Sequence, residues 1–197
     1  MRLRRFLPVL LLLFFCLSFL SACTSPSRRD PFTYAKAPFS LAVEGTYLPA
    51  NDPSGSPRPF AATVTVGAPQ GNDPTRRKMT VTFTSPEALA GMTVTADPTS
   101  ATDGSIVRCV EFTYPSDYGS IRTTVQGDAA EGFLRFAQGW LPAGEVVEVS
   151  PMAPDGSYTV TRGDGERVAV FAFEADCNLP IGVKITDGRG TVDMTVK

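Results

Sequence analysis

The side chains able to do chemistry in this chain are few, and what is missing decides more than any motif present. Histidine is absent from all 197 residues. Without it there is no Ser-His or Cys-His nucleophilic pair, no histidine general base and no His-ligated zinc. Carboxylates, lysines and thiols remain. Glu174 and Asp176 stand two apart at the end of an apolar run, a spacing that puts both on one face of a strand, and two carboxylates are the minimum for acid–base work. Solvated charges where a strand emerges account for them more simply. Asp155, Asp164 and Glu166 sit beside glycines, yet they lack the twelve-residue spacing and terminal glutamate of a calcium loop, and turn chemistry explains them better. No catalytic residue, metal ligand or cofactor is therefore expected. Arg162-Gly163-Asp164 is a tripeptide read by some adhesion receptors, at an expected hairpin tip where a Gly-Asp turn is needed in any case. Arg76-Arg77-Lys78 either touches anionic headgroups or forms a solvated loop.

The four cysteines divide by position. Cys16 lies in a segment that opens with Arg2, Arg4 and Arg5 and runs apolar from Phe6 to Leu20. About 15 apolar residues are short of the roughly 20 that a spanning helix needs, so residues 1–22 read as a targeting leader. The leader ends in Leu20-Ser21-Ala22-Cys23, which resembles the lipobox of bacterial lipoproteins; the alternatives are an uncleaved anchor or an ordinary secretory cleavage. The resemblance implies that the Cys23 thiol takes a diacylglyceryl group, becomes the new N-terminus, and fixes the chain to the outer side of the cell membrane. Loss of three leader arginines leaves 15 basic and 20 acidic residues, a net charge near −5, which excludes nucleic acid as a partner. Cys109 and Cys177 remain, either as one disulfide of an exported domain or as two separate small buried thiols.

Residues 23–38 are rich in Ser, Pro and Arg without periodicity and read as a flexible stalk. From 39 to 197 the texture is that of strands: Phe39–Leu48, Phe60–Val66, Lys78–Thr84, Met92–Ala96, Ile106–Tyr114, Ser120–Gln126, Glu145–Pro151, Ser157–Arg162, Arg167–Glu174, Ile181–Thr186 and Thr191–Val196. Met79, Val81 and Phe83 alternate with Thr80, Thr82 and Thr84, the pattern of an antiparallel sheet with one wet face. Val168 to Phe173 is apolar on both sides, which predicts a strand covered twice. Between Asp128 and Leu141, apolar residues at Ala130, Phe133, Leu134, Ala137, Trp140 and Leu141 share one helical face, with Asp128 as N-cap and Pro142 beyond the end. A shorter helical turn is predicted after Ser85-Pro86-Glu87. The expected class is mainly β within α+β: a curved antiparallel sheet or half-open barrel with one or two helices over its concave face.

The aromatics either fill an ordinary core or wall a cavity that side chains leave empty. On the second reading the ligand-contacting set is Phe83, Phe112, Phe133, Phe136, Trp140, Phe171 and Phe173. A lipobox and stalk, a run of strands, a mid-chain amphipathic helix and a terminal meander (Gly156-Ser157-Tyr158-Thr159-Val160, Val168 to Phe173, Leu179-Pro180-Ile181, Val192-Asp193-Met194) together resemble the LolA/LolB-like lipoprotein-carrier superfamily. The resemblance implies an incomplete barrel closed by helices, an apolar cavity for acyl chains, and a non-enzymatic role in binding a lipid, another apolar ligand or a partner envelope protein. The chain departs from it in two respects: no long helix precedes Phe39, and a tethered protein cannot shuttle. The alternative is a structural or adhesive β-sandwich that engages envelope proteins through its Thr-rich face. If Cys23 carries the lipid, Cys23→Ser moves the protein from the membrane fraction to the soluble exported fraction without loss of fold; mutant protein recovered with membranes would remove the tether.

Overall fold

The computed structural model describes residues 30–52, 55–70, 76–100, 106–117, 119–125, 128–175 and 177–197. The leader and Cys23 lie outside this set. Phe32–Lys197 forms one compact unit built on a single antiparallel sheet: β1 (Phe39–Pro49), β2 (Arg58–Val66), β3 (Met79–Ser85), β4 (Thr93–Ser100), β5 (Ile106–Ser116), β6 (Gly119–Val125), β7 (Glu145–Val149), β8 (Tyr158–Asp164), β9 (Arg167–Phe173), β10 (Gly182–Asp187) and β11 (Gly190–Val196). All eleven expected segments are strands, with ends displaced by a few residues. The order across the sheet is β6-β5-β4-β3-β2-β1-β11-β10-β9-β8-β7. Two meanders thus run outward from a central β1–β11 pair, in which Val43 lies opposite Val196 and Tyr47 opposite Val192. Among the described residues there is no second sheet, so the sandwich alternative is not what this sequence forms.

The sheet has two chemically distinct faces because its strands alternate. Leu41, Val43, Val64, Val66, Met79, Val81, Phe83, Val94, Phe171, Phe173, Ile185, Val192 and Met194 are buried on the inner face. Each such aliphatic or aromatic side chain contributes about 1.5–3 kcal/mol on burial. On the outer face the register sets Ser40 opposite Thr65, Thr65 opposite Thr80 and Thr80 opposite Thr95. Hydroxyl pairs follow, with Oγ atoms 3.0 Å apart for Ser40 and Thr65 and 3.3 Å apart for Thr82 and Thr93. Such cross-strand contacts hold register on a face with no core to do so. The turns are built as their residues require: Asp155 Oδ1 accepts from the Ser157 N–H at 2.9 Å, and Gly156 follows at φ +84, a conformation costly for other residues.

Four expectations change. The stalk does not extend to Pro38: a short 3-10 helix, Thr33–Lys36, belongs to the folded unit. Phe32 and Ala35 are buried, and the Phe32 ring meets Phe171 and Phe173 edge-on at 5.0 and 5.6 Å. An apolar side chain beside a Pro-rich run still buries itself when aromatic partners are in reach. Arg77 is no headgroup contact, for it is buried and donates to the carbonyls of Ala35, Ala37 and Gly67. Arg162 is not a displayed tip. It donates to the carbonyls of Ala143 and Gly144 and lies over the Phe32 ring at 5.0 Å, so the adhesive tripeptide is not presented. β9 is covered on one face only, with Val168 41% exposed. Phe32→Ala is expected to lower the unfolding free energy by about 3 kcal/mol or more. Unchanged stability in urea titration would return this segment to the stalk.

Candidate functional site

The helix α1 (Asp128–Gln138) joins β6 to β7, the two edges of the sheet. A chain that leaves one edge and re-enters at the other has to cross the inner face, and its contacts trace that crossing. The Phe133 ring is 4.9 Å from Phe112 on β5 and 6.5 Å from Phe83 on β3. Phe136 is 4.7 Å from Phe60 on β2, 5.5 Å from Phe83 and 6.4 Å from Tyr47 on β1. Just past the helix, Gly139 packs so closely on β10 that a Cβ there would lie 2.2 Å from Ile185 Cδ1. Phe133 and Phe136 thus seat the helix on β1, β2, β3 and β5, and Gly139 seats its end on β10.

Beside the helix lies a cavity of about 370 Å³ lined by Tyr47, Arg58, Pro59, Phe60, Phe83, Pro86, Leu89, Gly132, Phe133, Phe136 and Val192. The polar groups in its wall are engaged elsewhere. Tyr47 Oη donates to the Arg189 carbonyl at 3.3 Å, and the largely exposed Arg58 pairs with Asp52 at 3.0 Å. What faces the space is aromatic ring and aliphatic carbon, so it favours an apolar guest over water, which needs polar partners to be held. The volume lies at the lower end of small-molecule sites.

Of the residues expected from sequence to touch a ligand, Phe83, Phe133 and Phe136 line this cavity, and Phe112 supports Phe133 from behind. Trp140, Phe171 and Phe173 do not. They are fully buried on the other side of the helix, where Phe32 closes over Phe171 and Phe173 and Tyr158 stacks on Phe173 at 5.3 Å. The Trp140 carbonyl accepts from Tyr34 Oη at 2.5 Å; burial pushes the Tyr34 phenol up, opposed by the Arg162 charge, so it stays a donor. These three aromatics are core because the Phe32 segment fills the space they would otherwise wall. Tyr47, Phe60, Leu89 and Val192 were not singled out from sequence; Phe60 was visible as the only aromatic on its strand, the others were not. Cys177 is an exposed free thiol, 3.8 Å from Glu174 Oε2. The Cys109 side chain and Asp176 lie outside the described residues.

No protein-family model and no curated protein matches this sequence. Among solved structures, the chain is similar to an uncharacterized conserved protein from Thermus thermophilus, at 14% identity over 85% of this chain and 80% of that one, with a TM-score of 0.42. It is also similar to an outer membrane lipoprotein-sorting protein domain from Vibrio parahaemolyticus (8% identity, 82% and 83% covered, TM-score 0.39). A LolA superfamily protein from Nitrosomonas europaea is a third (12% identity, 85% and 87% covered, TM-score 0.38).

Two glycines test the placement of the helix. A Cβ on Gly132 meets nothing within 4 Å, so Gly132→Ala is expected to stabilise by about 1 kcal/mol through helix propensity alone. Gly139→Ala is expected to destabilise by about 1–3 kcal/mol through overpacking. Thermal melts of both variants moving in the same direction would contradict the placement of α1.

Proposed function

We propose that this chain is an extracytoplasmic lipoprotein, tethered through Cys23, whose half-open barrel holds a single apolar chain beneath α1 and catalyses nothing. One observation carries the proposal: an apolar cavity between α1 and the sheet, walled by five aromatic rings from four separate elements. Its volume favours one acyl chain over a multiply acylated lipid. About eight buried methylenes would supply roughly 6 kcal/mol, from which association costs are subtracted. The expected affinity is therefore weak enough for release, as befits a protein that receives or presents a lipid rather than storing it.

The test is displacement of a fluorescent fatty acid from the protein. Gly132→Phe places a ring in the cavity from the one wall position with no side chain, and is expected to weaken binding at least tenfold while the melt remains cooperative. Val147→Ser, on an exposed edge strand, is expected to bind as the parent does. Absence of saturable binding by the parent, or equal binding by the Gly132→Phe variant, would sink the proposal.

A further inference from the structure

The walls of the apolar cavity are not equally held. Tyr47, Phe60 and Phe83 stand on β1, β2 and β3, strands with a neighbour on either side. The helix α1 is fixed by the Phe136 ring on Phe60 and by the Arg135–Asp187 ion pair at 2.9 Å. A further wall is the β3–β4 turn, which lends Pro86 and Leu89 to the cavity and has a short 3-10 helix, Glu87–Leu89, at its centre. Glu87 and Ala88 are exposed, and Leu89 is half-buried against the core.

This turn is a unit on a hinge. Within it the Leu89 N–H donates to the Pro86 carbonyl at 2.9 Å, the Ala90 N–H to the Glu87 carbonyl at 3.1 Å and the Met92 N–H to the Leu89 carbonyl at 2.9 Å. At its base the Phe83 N–H donates to the Met92 carbonyl at 2.9 Å and the Gly91 N–H to the Phe83 carbonyl at 2.8 Å. On the other side β2 pairs with β3 as far as Ser85, opposite Ala61. Beyond that base, the described residues supply one hydrogen bond to Pro86–Ala90 from another element: Tyr114 Oη donates to the Ala88 carbonyl at 2.6 Å. The next residue of β5, Pro115, lies against Gly91, where a Cβ would be 2.8 Å from Pro115 Cγ. Gly91 has φ +80, a conformation costly for other residues. The end of β5 thus grips the tip of the turn by a hydroxyl and its base by a ring. A segment with few buried apolar contacts opens locally at far lower free energy than the strands around it.

We infer that the Pro86–Gly91 turn is the movable wall of the cavity and that Tyr114 is the positioning residue that holds it shut, so that the Tyr114–Ala88 bond governs how fast a bound apolar chain leaves. The inference rests on the reading of the cavity as a binding site. Outward rotation of the turn about its base withdraws Pro86 and Leu89 from the space and leaves the strand ladders intact. Neither Tyr114 nor Pro115 lines the cavity, so the hydroxyl acts on the bound chain through the turn.

The exported chain carrying Cys23→Ser, free of its own lipid, is loaded with a fluorescent fatty acid, and release is timed by stopped flow against an excess of unlabelled acid. Tyr114→Phe keeps the ring and removes the donor. It is expected to speed release by about threefold to tenfold, the range that one hydrogen bond is worth, with a melt that stays cooperative. Hydrogen exchange of the unliganded protein is expected to quicken in this variant at the Leu89 and Met92 amides and to stay the same at Val43 and Val192. Glu87→Gln, exposed on the same turn, is expected to behave as the parent does in both measurements. Absence of saturable binding by the parent removes the site and the gate together. Binding by the parent, with release from Tyr114→Phe at the parent's rate, overturns the gate and leaves the site standing. Faster release with unchanged exchange at Leu89 and Met92 also overturns it, because the turn would not be what opened.

Discussion

The connection of β6 to β7 constrains everything else in this molecule. These strands are the two outer edges of one sheet, so the segment between them must traverse the full inner face, and only a regular element satisfies its own backbone while lying on apolar side chains. A helix does so by presenting one greasy stripe. α1 is short relative to the sheet it crosses, and it is seated at one end, where Gly139 admits the closest approach. Nearer its start, Phe133 and Phe136 meet the rings of the strands edge-on. The apolar cavity lies beside these two side chains.

A second hollow, lined by Arg135, Asp164, Arg167 and Asp187 among others, lies at the far end of α1. Arg135 borders it, Tyr47 lines the apolar cavity, and the guanidinium carbon of the first lies 5.8 Å from the ring of the second. The arrangement lets a buried cation and an aromatic cavity be neighbours: the face of the ring attracts the charge, while Asp187 neutralises it from behind. A helical residue inside an apolar stripe is ordinarily a poor place for arginine. Here it is tolerated because a carboxylate, a carbonyl and a ring meet it.

Periodicity made the strands legible. Alternation of Val and Thr along β2, β3 and β4 specifies both the element and its inner face, and every strand expected from that pattern is present. The helix was equally visible from its spacing. What stayed hidden depended on distance along the chain. Nothing local announces that Phe32, next to a proline-rich run, packs against Phe171 and Phe173 some 140 positions later, and for that reason three aromatics assigned to a ligand wall belong to the core. Arg77 and Arg162 look like surface charge in sequence; the burial of the first and the half-burial of the second follow from backbone carbonyls supplied by distant segments. β9 read as doubly covered because its outer residues are apolar, whereas coverage is decided by what lies above a strand rather than by its composition.

The pairing of the first strand with the last carries a kinetic consequence. β1 cannot gain its second neighbour until β11 exists, so Val43 waits for Val196, and the sheet is two separate half-ribbons until the final residues arrive. Contacts this far apart in sequence slow folding, because loop closure comes before the reward. Until then each half-ribbon carries an unpaired inner edge, open to pairing with another chain. The topology therefore leaves the growing chain exposed to mispairing until its last strand closes the seam.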